Sequence, residues 1–84
     1  MSEKELLLKM NFERDELAQS IRDCLETRRP KLTQRKICED LSVQYSKETG
    51  KNWKFYPQNF NAFLNGRAKL SFQKVKMIVD YLGM

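Results

Sequence analysis

No histidine occurs in this 84-residue chain. The side chain that most often moves protons near neutral pH is therefore missing, and with it His-based catalytic relays. Zinc sites need about four nitrogen or sulfur ligands. Cys24 and Cys38, far apart and without histidine, do not supply them. The three glycines, Gly50, Gly66 and Gly83, are too scattered for a phosphate-cradling loop. Asp15-Glu16 and Glu39-Asp40 are adjacent pairs, and neighbours on a helix point about 100° apart, so they read as solvated charges rather than a catalytic dyad. Nothing approaches the ~20 apolar residues of a membrane span, and Leu6-Leu7-Leu8 is too short for that or for a signal peptide. These absences point away from an enzyme, a metal or cofactor site, a small-molecule substrate and a membrane partner. The two cysteines read as inward-facing free thiols of a cytoplasmic protein, with a Cys24–Cys38 disulfide left open by sequence alone.

What is present is enough for one domain. Eighty-four residues, 40% of them hydrophobic, can bury a single core. The charge is unevenly placed. Residues 1–27 hold four basic and seven acidic side chains, a net of −3, and residues 28–84 hold twelve and four, a net of +8, which together give the overall +5. A basic region of this kind gains by releasing counterions from a polyanion, although a charge excess also serves solubility.

The pattern is helical throughout. Ser2-Glu3-Lys4-Glu5 has capping-box spacing ahead of Leu6 and Met10, so residues 1–12 read as an arm or short helix. Asn11 is a candidate cap for the next helix, in which Leu17, Ile21, Cys24 and Leu25 form an apolar stripe, Arg28 lies at its basic end, and Pro30 forces a stop by residue 29. Thr33 caps a further helix with Ile37, Cys38, Leu41 and Tyr45 on its buried side; it ends either near Ser42 or at the Thr49-Gly50 break. Trp53, Phe55 and Tyr56 alternate with Lys54 in a short segment of extended character. Ser71 caps a last helix with a Val75, Ile78, Val79, Leu82 stripe, closed by Gly83.

Between these lies the most unusual segment, Tyr56-Pro57-Gln58-Asn59-Phe60-Asn61-Ala62-Phe63-Leu64-Asn65-Gly66. Pro57 suits a helix's first turn and Gly66 the position past its end. Phe60, Phe63 and Leu64 share one side; Gln58, Asn59, Asn61 and Ala62 take the other. That outer side is made of amides, where a solvated helix normally carries Lys and Glu. Asn and Gln both donate and accept, and can pair bidentately with the adenine edge in the major groove.

The order of these pieces carries a resemblance. Leu32-Thr33-Gln34-Arg35-Lys36-Ile37-Cys38-Glu39-Asp40-Leu41-Ser42-Val43 resembles the first motif helix of the Cro and lambda-repressor helix-turn-helix superfamily, with Ile37 and Cys38 at the apolar and small positions after Leu-Thr-Gln. Phe60–Gly66 looks like the second half of that family's recognition helix, Arg67–Ser71 like its basic connector, and Ser71–Leu82 like the helix that follows. The likeness spans roughly residues 13–84. It implies an all-α, compact domain of four to five helices that binds double-stranded DNA in the major groove as a repressor-like regulator. The chain departs from the family at residues 44–55, which stand where the family has a turn of a few residues.

The resemblance assigns roles residue by residue. Gln34 would bond a DNA phosphate; Gln58, Asn59 and Asn61 would meet base edges, with Ala62 against a thymine methyl. Arg67 and Lys69 would hold phosphates, with Arg35 and Lys36 as weaker candidates, and Lys54 would add a contact from the inserted segment. Asn65 reads first as helix-end chemistry. Proteins of this type usually bind as dimers; Leu6-Leu7-Leu8 and Tyr81–Met84 are the segments available for a homodimer. The alternative is a protein–protein interaction module on the same scaffold, and a third reading has Trp53, Phe55 and Tyr56 stacking on RNA bases.

Overall fold

Short polar side chains set the helix starts. In the computed structural model, which describes residues 2–28, 30–51 and 54–84, the hydroxyl of Ser2 accepts from the Glu5 N–H at 3.2 Å, that of Thr33 from Lys36 at 3.1 Å, and that of Ser71 from Lys74 at 3.3 Å. Each takes up a donor that the first helical turn leaves unpaired. The resulting helices are α1 (Glu3–Phe12), α2 (Arg14–Thr27), α3 (Gln34–Thr49), α4 (Pro57–Leu64) and α5 (Phe72–Leu82). The protein is all-α: no strand occurs among the described residues, and residues 54–56 lie outside regular structure.

One sequence expectation changes at a helix end, and one choice left open is decided. Asn11 does not cap α2. It lies inside α1, which runs on to Phe12 because Leu6 and Met10 keep that helix against the core; the Glu13 N–H bonds back to the Lys9 carbonyl at 2.8 Å, and Glu13 itself stands between the two helices. α3 takes the later of its two possible ends. Gln44 bonds Glu48 at 3.2 Å, the Thr49 hydroxyl bonds the Tyr45 carbonyl at 2.8 Å, and Gly50, at φ +69°, closes the helix through the Ser46 carbonyl. A side chain at Gly50 would be strained in that left-handed conformation. So half of the 44–55 segment extends α3, and a short connection then leads to α4. Trp53 and the roles considered for it lie outside the described residues.

The core draws on every helix. Leu17, Ile21 and Leu25 of α2, Ile37, Cys38 and Leu41 of α3, the aromatic side of α4, the stripe of α5, and Leu6 and Phe55 form one buried cluster. α1 rests on α2 and α5; both α2 and α3 touch α4 and α5. Among the described residues, no polar or charged residue is buried and no buried side-chain nitrogen or oxygen lacks a partner. The radius of gyration is 12.4 Å, close to the ~12 Å of a compact domain of this length. No helix among the described residues is long and apolar enough to cross a membrane. Cys38 is buried, Cys24 is half-buried with its thiol 3.9 Å from the Leu82 carbonyl, and both are free.

Candidate nucleic-acid interface

α4 is a short helix with a fully buried inner side. Phe60, Phe63 and Leu64 are each 5% exposed or less. Its entry is pinned onto α3: the Phe55 N–H donates to the Ser42 hydroxyl at 2.8 Å, that hydroxyl donates to the Cys38 carbonyl at 2.7 Å, and the Phe55 ring stacks on Phe60 with centroids 5.7 Å apart. Phe55 is therefore core, which removes it from any set of rings open to RNA bases; Tyr56, half-exposed, is not so constrained.

The far end of α4 is held more firmly still. The Gly66 N–H bonds the Phe63 carbonyl at 3.1 Å and the Arg67 N–H bonds the Ala62 carbonyl at 2.8 Å. This paired closure needs a left-handed residue, and Gly66 supplies it at φ +75°. Two arginines of α2 complete it. Arg14 donates to the carbonyls of Phe63 and Ala68 and places its guanidinium 5.1 Å from the Phe63 ring centroid; Arg22 donates to the Leu64 carbonyl at 2.9 Å and to the Asn65 side-chain oxygen. Both cations sit where the helix dipole is negative. Asn65 thus has the structural role its position suggested. Arg14 and Arg22 escaped the sequence reading; their signal was their spacing, since Arg14, Ala18 and Arg22 follow at i, i+4 and i+8 along the edge of the α2 stripe.

With both ends fixed, the outer side of α4 is presented rigidly. Gln58, Asn59 and Asn61 are exposed and Ala62 is half-buried. Gln58 and Asn61, three residues apart, lead this side, and Asn59 stands on its flank. Among the described residues, no side-chain hydrogen bond engages any of these three amides.

The basic candidates fall into two groups. Arg67 and Lys69 are exposed in the connector beyond the C-terminal end of α4, and Lys54 is exposed before its N-terminal end. Among the described residues no carboxylate pairs with these three. Arg35 and Lys36 are instead tied along α3, Arg35 to Glu39 at 3.2 Å and Lys36 to Asp40 at 3.0 Å. Gln34 is half-buried as the first residue of α3. Arg35 and Lys54 come together across an open groove of about 340 Å³ that Val43, Tyr56 and Pro57 also line, with the buried Cys38 beneath. Burial pushes the Cys38 thiol up to about 11, so it stays protonated and unreactive near neutral pH. Behind this surface the Tyr81 hydroxyl of α5 donates to Asp40, and that bond, with Lys36, holds the Asp40 carboxyl below the usual carboxylate range.

No protein-family model, curated protein or solved structure matches this chain.

Proposed function

We propose that this protein binds double-stranded DNA sequence-specifically, with α4 entering the major groove as the second helix of a helix-turn-helix whose first helix is α3. One observation carries the reading. A helix held at both ends turns three amides outward, and among the described residues none of them has a side-chain partner. Folding does not account for such a surface, since exposed amides neither pack nor contribute ion pairs; adenine edges use their paired donor and acceptor. In this reading Gln58, Asn59 and Asn61 contact bases, with Ala62 beside them. Lys54 on one side of α4 and Arg67 and Lys69 on the other hold the phosphate backbone and set register. Arg35 and Lys36 contribute less, because each already faces a carboxylate. Gln34 reaches a phosphate from the start of α3. Occupation of such a site by a small regulator blocks other proteins from it.

The test is selection of bound duplexes from a random DNA pool at about 0.15 M salt. Enrichment of a short motif supports the reading; recovery without enrichment reduces it to phosphate attraction. The groove between α3 and residues 54–57 favours a second reading, a protein-interaction module, because Val43 and Tyr56 are 55% and 49% exposed there. Failure to recover any DNA would leave that reading as the better one.

A further inference from the structure

α1 has two apolar sides, and the fold uses only one. Leu6 and Met10 face the core, Leu6 at 1% exposure. Leu8 and Phe12 follow the same i, i+4 spacing on the opposite side, roughly 160° away by helical periodicity. They are 51% and 80% exposed, and Leu7 beside them is 46% exposed. Three of the five large hydrophobic residues that the described part of the molecule exposes therefore lie on this one ten-residue helix. Around Leu8 and Phe12 runs an open groove lined by Glu5, Lys9 and Glu13.

The charge around this edge does not favour a nucleic acid. Glu3 is drawn away to Lys76 of α5 at 3.1 Å. Lys4 and Lys9 stand against Glu5 and Glu13, while Asp15 and Glu16 beside Phe12 make the edge net acidic. Within it, the Lys9–Glu13 pair is complementary to a second copy of itself running the other way. If two copies of α1 run antiparallel about a two-fold axis level with Asn11, the apolar side chains alternate along the seam at about 3 Å intervals: Leu8, the partner's Phe12, Phe12, the partner's Leu8. In the same register Lys9 of each copy lies level with Glu13 of the other. Lys9 already reaches Glu13 of its own chain at 3.7 Å, so the four charges can close into one network.

We propose that this edge of α1 is a self-association surface, and that its occupant is α1 of a second copy in the antiparallel, isologous arrangement just described. The inference goes beyond the DNA reading and does not rest on it. Two short helices bury less than the ~1,200 Å² of a standard stable interface, so the dimer is a weak one in free solution.

Sedimentation of the full chain without DNA, from about 10 μM to about 1 mM, tests this. The weight-average mass should rise from 10.0 kDa toward twice that value. The double substitution Leu8→Gln/Phe12→Gln should hold it at the monomer mass throughout; Leu8→Ala/Phe12→Ala, which keeps strong helix formers in α1, should do the same with unchanged circular dichroism. Lys9→Glu or Glu13→Lys alone should weaken association about fivefold, and the two together should restore it. A wild-type chain that stays at the monomer mass up to the highest concentration overturns the proposal. So does association that the apolar substitutions leave intact, or a charge exchange that fails to restore pairing.

Discussion

α4 and α5 are built alike and finished differently. Each buries an apolar stripe, Phe60, Phe63 and Leu64 in one and Val75, Ile78, Val79 and Leu82 in the other, and each ends at a left-handed glycine reinforced by an arginine from the α2 side of the molecule. For α5 that arginine is Arg28, which donates to the Leu82 carbonyl at 2.6 Å. The polar side of α5 is spent on the fold: Lys76 pairs with Glu3, Tyr81 with Asp40, and Gln73 lies 3.4 Å from the Tyr45 hydroxyl. The polar side of α4 is spent on nothing within the described molecule. The contrast separates what a helix needs in order to fold from what it carries for another purpose. α5 is explained once its neighbours are named, whereas the amides of α4 are left without a folding role among the described residues.

The comparison breaks first, and hardest, at what the two helices share. Phe60 and Ile78 are both 0% exposed. Phe60→Ala should cost about 3–5 kcal/mol and Ile78→Ala about 2–5 kcal/mol, enough to threaten a domain of this size. Urea denaturation should show similar losses for both, and any DNA binding should disappear with the fold. A Phe60→Ala protein that stayed folded and merely lost DNA binding would mean that α4 is an appendage, not a core helix.

Next comes the bracing at the end of α4. Arg14→Ala removes hydrogen bonds to two carbonyls and the contact with the Phe63 ring, and should cost about 2–3 kcal/mol. Arg14→Lys should recover little of this, because one ammonium cannot hold two carbonyls in the geometry of a planar fork. Hydrogen exchange at Phe63–Ala68 should accelerate more than that of α5. Equal acceleration in both helices would make Arg14 a general core contact instead of a brace for α4.

How much of this was legible depends on the distance over which each residue acts. The α5 stripe, the Thr33 and Ser71 caps and the Pro57–Gly66 limits of α4 rest on neighbours within a turn or two, and the helix period exposes them. Even the pairing of Arg35 and Lys36 could have been read, since Glu39 and Asp40 lie four residues on. Arg14 and Arg22 act on carbonyls more than forty positions away; which carbonyls those are depends on how α2 crosses α4, which no local pattern encodes. The end of α3 was a choice between two local signals, and Gly50 prevailed because the turns beyond Ser42 carry Gln44, Lys47 and Glu48 and their own i, i+4 bonds. Asn11 failed as a cap because the buried Leu6 and the partly buried Met10 outweigh one side-chain hydrogen bond. The amide side of α4 was visible as composition; that its amides have no partner among the described residues took coordinates.

On the outer sides the two helices should part company. Asn59→Ala and Asn61→Ala should leave stability within about 0.5 kcal/mol, both being exposed and without a side-chain partner among the described residues, yet each should cost about 1–3 kcal/mol of discrimination between the selected DNA sequence and a scrambled one. Gln73→Ala on α5 should change neither affinity nor discrimination. Lys69→Ala should weaken every sequence alike and reduce the salt dependence of binding by about one unit of slope. If the Asn substitutions weakened all sequences equally, α4 would not be reading bases.

The smallest effect is on pH dependence, and it belongs to α5 alone, because Pro57–Leu64 contains no titratable side chain. The Tyr81 hydroxyl, followed by Lys36, holds the Asp40 carboxyl below its ordinary value. A depressed folded-state pKa contributes stability that is complete above the unfolded value, about 3.9, and is lost as pH falls through the lower folded value. The same bond raises Tyr81, whose contribution is complete below about 10 and is lost as pH rises through its higher folded value. Cys38, raised to about 11 by burial, withdraws stability over the same alkaline range, so the acid limb is the one to measure. Between about pH 5 and pH 2, the urea midpoint of wild type should fall more steeply than that of Tyr81→Phe, and Asp40→Asn should flatten this share of the slope altogether. Asp40 is substantially solvated, so the difference should be modest and shrink further in salt. Identical acid slopes for wild type and Tyr81→Phe would show that the α3–α5 bond contributes no net stability, and that α5, like α4, owes its place to its apolar stripe and its caps.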